Sequence, residues 1–197
     1  MYSVFLFLNA KMCSVFQGVN MKRRQFIKAS IIGSVAVSGF GSGAFLLIDE
    51  INKNELTISS ALKKLDLLSN KNLLNSGKWN SYQIFTHCAQ SIEYSMTEFP
   101  SHKANFFINT IGKLAYTIFT SKGKMTHDLS EPIPGAPALI SSKDIQTALE
   151  RLKKSLIDFD KYQGSMAKHF AYGELTKEEF EIAHVMHLYN HLEEINT

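Results

Sequence analysis

The sequence is short of the residues that usually announce covalent cross-links or catalytic chemistry. It has two cysteines, Cys13 and Cys88, and one tryptophan, Trp79. Cys13 lies in an apolar leader, so the body of the chain carries a single thiol and no internal disulfide is expected. Cys88 reads as a buried structural thiol ahead of a ligand or nucleophile. There is no H-E-x-x-H helix, no nucleophile elbow and no glycine-rich phosphate loop. Alternating β-branched runs and Asn-Gly or Asp-Gly turns are also missing, which removes the grounds for a sheet fold. No internal repeat or low-complexity tract is present. Residues 1–44 hold no acid but five bases, Lys11, Lys22, Arg23, Arg24 and Lys28. The rest of the chain has 16 basic and 18 acidic residues, so the formal charge of +3 comes from the leader. A body so balanced offers no groove for nucleic acid and no polybasic patch for a membrane surface.

What is present begins with that leader. Met21 opens a basic stretch that precedes an apolar run from Ile31 to Ile48, rich in Gly, Ser and Ala, as in a signal peptide. Arg23-Arg24-Gln25-Phe26-Ile27-Lys28 resembles the twin-arginine export signal, with the paired Arg, the Phe and the Lys in place. That resemblance implies the twin-arginine export machinery as a partner and a periplasmic or exported location. Ser42-Gly43-Ala44 offers small residues for cleavage; the alternative is an uncleaved leader acting as an anchor, the chain's one expected link to a membrane. Residues 1–20 precede the more natural start at Met21 and suggest an over-extended reading frame. The expected division is a leader over 1–48, a linker over 49–56 and a domain over 57–197.

The domain reads as helices. With 45% of all residues hydrophobic and 20% charged, it has ordinary globular composition and enough length for one core. Ile58, Leu62, Leu65 and Leu68 give Thr57–Leu68 an amphipathic stripe. Trp79–Phe99 is a second helix, stopped by Pro100. Lys103–Thr120 is a third, with Phe106, Phe107, Ile111, Leu114, Ala115 and Ile118 as its apolar positions and an end near Gly123. Ser141 with Asp144 caps a fourth running to about Tyr162, striped by Leu149, Leu152, Leu156 and Phe159. Thr176 and Glu179 form a capping box for the last helix, expected to reach about Ile195. Between the third and fourth helices, Lys124–Ile140 holds three of the four prolines, Pro132, Pro134 and Pro137, so no helix runs through it. The fold expected is all-α: a four-helix bundle with an extra helix and one long proline-rich crossover loop.

Seven histidines remain. His184, His187 and His191 fall within about 60° of one another on the last helix, beside Phe180, Leu188 and Ile195. Buried imidazoles need partners, and three on one arc ask for a shared one, such as a metal ion. His184 and His191 are about 10.5 Å apart along the axis, too far to share an ion easily. His187 and His191, about 6 Å apart, can converge on one. His184 is then an alternative or outer-shell ligand. His87 shares a face with Gln83, Gln90, Ser91 and Tyr94, which periodicity reads equally as a solvent face or a polar site lining. His127, Asp128 and Glu131 stand on the long loop.

With His87 and the His187-x-x-x-His191 pair on separate helices, the chain resembles the DinB/YfiT-like superfamily, and within it an uncharacterised branch of exported proteins. Trp79, the stretch His87–Met96, Phe99-Pro100, Met125–Leu129, Pro132–Pro137 and His169–Thr176 carry the resemblance, which spans about residues 57–195. It implies a DinB-like bundle and a divalent metal, Zn²⁺, Ni²⁺ or similar, held by His87, His187 and His191. The branch often has a second histidine where this chain has Asn190. Hydrolysis or transfer on an unidentified small-molecule substrate is the expected activity, with His127 or Tyr94 as candidate proton donors. A non-catalytic metal-binding protein and a purely structural or interaction bundle are the alternatives. A homodimer is among the expected assemblies.

Overall fold

The computed structural model describes residues 53–197; the leader, its export signal and the first half of the expected linker lie outside the described residues. A short 3₁₀ turn, Lys53–Glu55, leads to five helices: α1 (Ile58–Asp66), α2 (Ser81–Met96), α3 (Lys113–Lys122), α4 (Ile145–Lys161) and α5 (Lys177–Leu192). The fold is all-α, as expected. Among the described residues no helix is long and apolar enough to cross a membrane.

The helix starts follow local chemistry. The Thr57 side chain accepts from the Ser60 N–H at α1, and Asp144 accepts from the Thr147 N–H at α4. Capping boxes open α2 (Asn80 with Gln83) and α5 (Thr176 with Glu179). Ser141 is not part of the α4 cap; its hydroxyl accepts from Asn80 Nδ2 and so ties the loop end to the start of α2.

α2 packs chiefly along α4 and also on α5. Ile84, Phe85, Cys88, Ala89 and Ile92 of α2 are buried against the expected α4 stripe Leu149, Leu152, Leu156 and Phe159, with Phe180, Val185 and Leu188 of α5 completing the core. Because α2 is covered on both sides, its polar face is covered too: His87, Gln90, Ser91 and Ser95 are all buried. That decides between the two readings of the His87 face: it lines an interior site.

Two expectations change. The third helix begins as a short turn, Asn105–Phe107, and widens to a π-helical turn over Ile108–Gly112 before α3. Its buried positions are Ile108, Gly112, Ala115 and Phe119, spaced as one helical face, while Phe106 is 78% exposed and Leu114 is 42% exposed. Gly112 belongs to that face because the Ala171 carbonyl oxygen occupies the place of its missing side chain. Gly123 ends α3 in the left-handed region (φ 66°), which glycine adopts without strain.

The second change is at the C-terminus. α5 stops at Leu192, and Ile195–Asn196 pairs antiparallel with Leu74–Asn75 as a two-residue ribbon, β2 with β1. Such a pairing joins residues far apart in sequence and has no periodicity to betray it. It fastens the end of α5 to the chain entering α2. Glu194 sits against Gly77, where even a Cβ would collide with its carboxylate.

Candidate metal centre

α2 and α5 place three imidazoles in one interior space, and the long loop adds a fourth. His87 Nε2 lies 3.1 Å from His187 Nε2, and His191 Nε2 lies 3.1 Å from the same atom. His127 packs its ring 4.9 Å from that of His187 and 5.0 Å from that of His191. One ligand atom from each of the four lies within 4.8 Å of every other. Trp79 walls the group on one side, tilted over His87 at 4.9 Å and stacked on His191 at 5.9 Å.

Hydrogen bonding alone does not account for this arrangement. An imidazole nitrogen offers one N–H or one in-plane lone pair. His187 Nε2 can therefore serve His87 or His191, but not both. Nitrogens bound at about 2.0–2.1 Å to one ion at tetrahedral angles stand roughly 3.3–3.4 Å apart. The two 3.1 Å spacings are close to that value.

The pattern of missing partners points the same way. Among the described residues, the buried side-chain atoms without a hydrogen bond are Asn75 Nδ2, His87 Nδ1, Gln90 Oε1, both ring nitrogens of His127, Asn190 Oδ1, His191 Nδ1 and Glu194 Oε2. They belong to His87, His127 and His191, to neighbours on the same helices, or to the ribbon that closes α5. Buried polar groups in a native fold are nearly always paired, so the His127 ring, packed against His187 and His191 with both nitrogens unpartnered, is left with capacity for something else to bond. The donor set, neutral imidazoles within reach of one another, suits a divalent transition ion.

Burial sets the protonation state. It pushes His87 down to about 3, with the neighbouring His127 adding to the effect. His187 and His191 are also held well below their ordinary value, first by burial and then by the other histidines. His127 is lowered by burial, while Asn190, Glu131 and Asp128 pull the other way. Asn190 is close enough to favour the charged ring, yet its Oδ1 completes no hydrogen bond. At neutral pH all four rings are thus uncharged, which is the form that ligates metal.

The remaining residues singled out in the sequence stand elsewhere. His184 is outside the group: its Nε2 donates to Ser95 Oγ at 2.9 Å, because the Ser95 hydroxyl itself donates to the Ile92 carbonyl. Tyr94 lies on α2, seven residues beyond His87, with its ring 5.9 Å from Phe99. Cys88 is buried beside His87 but on the core side, with its thiol pushed up by burial and so held protonated. His127 does join the group. Its position on a proline-stiffened loop was the available signal, but loop polarity explains such a residue equally well.

A family model described as "Protein of unknown function (DUF1569)" matches residues 51–197. No curated protein matches the chain, and no solved structure matches it. The chain belongs to this DUF1569 family.

Proposed function

With family membership as the premise, we propose that the domain binds a divalent metal ion through His87, His187 and His191 and uses it in hydrolysis or group transfer on a small molecule. The observation that carries this is the shared His187 Nε2, with two other ring nitrogens 3.1 Å away and only one of them satisfiable by a hydrogen bond. The resemblance to DinB/YfiT-like proteins supports the same three residues. A bound Zn²⁺, Ni²⁺ or similar ion would supply Lewis-acid polarisation of a substrate oxygen.

The chain's own groups supply the rest. Burial keeps the imidazoles neutral and their lone pairs free. The packed α2–α5 pair sets the separation of the helix-borne rings, and Trp79 covers the His87 and His191 side. Gln90 and Asn190 leave buried amide oxygens that can accept from a polar ligand. The twin-arginine-like leader supports export of the folded, loaded domain, with the leader either cleaved or retained as an anchor. A non-catalytic metal-binding role is the second reading, favoured by the fourth imidazole, His127, which would complete an all-protein shell.

Metal analysis of the purified full chain tests the proposal, with H87A, H187A and H191A alongside. One equivalent of metal in the parent and its loss in each variant is the expected result; unchanged metal in all three overturns it. Chelator-sensitive hydrolysis of small chromogenic esters would favour the enzyme, and a metal-loaded chain without turnover would favour the binding protein.

A further inference from the structure

Three of the four clustered histidines sit on helices, and one does not. His127 stands between two anchored points of the crossover loop. On one side Met125 is buried, and Lys124 Nζ pairs with Glu193 Oε1 at 2.6 Å. On the other, Asp128 Oδ1 accepts from the Ser130 N–H (2.9 Å) and hydroxyl (2.7 Å), and Lys78 Nζ donates to Ser130 Oγ (3.3 Å). Of the groups that act on His127, Asp128 is thus engaged with Ser130 and Glu131 with Lys103 at 3.9 Å, which leaves Asn190. The ring itself is turned inward with both nitrogens buried and without a hydrogen bond. A loop residue that only needed solvation would point outward. This one gives up water, and beyond the approach of Asn190 its ring nitrogens complete no hydrogen bond with the chain, a loss that a ligand bond would offset.

We infer that His127 is a fourth, loop-borne ligand of the divalent ion, and that binding the ion tightens residues 124–131, already anchored at either end, against the bundle. The inference rests on the metal reading of His87, His187 and His191, and adds to it a coupling between ion occupancy and the loop. The helix-borne ligands cannot move apart without disturbing the core, whereas His127 can leave by a local change in the loop. Ion binding therefore closes the loop, and a ligand that replaces His127 on the ion opens it.

The test uses the full chain and Zn²⁺ alone, with the H127A and H127Q variants and H87A as a control. Zinc affinity is measured by chelator competition, and backbone amide exchange is followed by mass spectrometry with and without zinc. The parent is expected to bind one zinc and to slow exchange across residues 124–131. H127A and H127Q should still bind one zinc, with affinity lower by at least about tenfold and no zinc-dependent slowing in the loop. Equal affinity in parent and variants, or equal loop protection by zinc, overturns the inference while leaving the three-histidine site standing. If the parent takes up no more zinc than H87A, both the inference and the underlying metal reading fall.

Discussion

His184 and His187 are neighbours on the same face of α5, both enclosed, and chemically opposite. His184 has what a buried imidazole needs: its Nε2–H donates to Ser95 Oγ, and Phe159 and Phe180 pack its ring at 5.2 and 5.4 Å. Nearby, His169 Nδ1 has the backbone N–H groups of Ala171 and Tyr172 each 3.1 Å away, either of which fills its one lone pair, and its ring stacks on Tyr172 at 4.4 Å. These two histidines behave as core residues with a hydrogen-bonding tip. His187, one turn on, faces three more imidazoles that cannot all satisfy it. The difference shows that burial alone does not mark a ligand. What marks one is bonding capacity left over after the protein's own partners have been counted.

Acid should act on both groups alike, and it is the largest effect expected in the metal-free chain. The folded-state pKa values of His87, His169, His184, His187 and His191 are all depressed below the ordinary 6.5, mainly by burial. The unfolded chain therefore binds more protons than the folded one below that pH. Stability should be full above about 6.5 and fall steadily as pH drops toward 3, by up to about 5 kcal/mol for His87 alone. Urea unfolding of the metal-free chain between pH 8 and 4 checks this; a flat profile would mean that these rings are not buried as described.

Substitution should separate the groups. His184→Ala removes a satisfied, packed side chain and should destabilise the fold by about 2–4 kcal/mol while leaving zinc stoichiometry unchanged. His187→Ala should do the reverse. It should abolish the zinc-dependent gain, about 2.7 kcal/mol at a hundredfold excess over Kd in the parent. In the metal-free chain it should shift stability by no more than about 1 kcal/mol, because the group it removes is poorly partnered. Thermal melts with and without zinc read both; a zinc-dependent gain that survives His187→Ala but is lost in His184→Ala would reverse the comparison.

Smaller effects are expected where backbone crowds backbone or side chain. Gly112→Ala would push a methyl group into the Ala171 carbonyl and should cost about 1–3 kcal/mol without altering metal content. Gly77→Ala meets only the end of a flexible carboxylate, Glu194, and should be milder, within about 1 kcal/mol by urea titration.

These contrasts follow what the sequence could and could not disclose. Helices with local signals were legible: the Thr176–Glu179 capping box and the Leu149, Leu152, Leu156, Phe159 stripe appear in the structure as read. The buried face of the third helix was not, because one of its positions is Gly112, filled by a carbonyl from a distant loop rather than by its own side chain. The β1–β2 pairing was invisible because two-residue strands carry no period. At the site, rise per residue was enough to pair His187 with His191 and leave His184 aside. His87 needed the resemblance, since a helix covered on all sides shows no clear solvent face. His127 was seen only as a proton-donor candidate, because a loop position has no register from which to infer direction.

Whether a metal ion takes up the bonding capacity left over among His87, His187 and His191 can be read at the metal itself. X-ray absorption at the zinc edge of the full chain loaded with one equivalent of zinc tests it most directly. The expected result is a nitrogen shell at about 2.0–2.1 Å with outer-shell scattering from at least three imidazoles, lost in His187→Ala. A shell of oxygens without imidazole scattering, unchanged by that substitution, would contradict it.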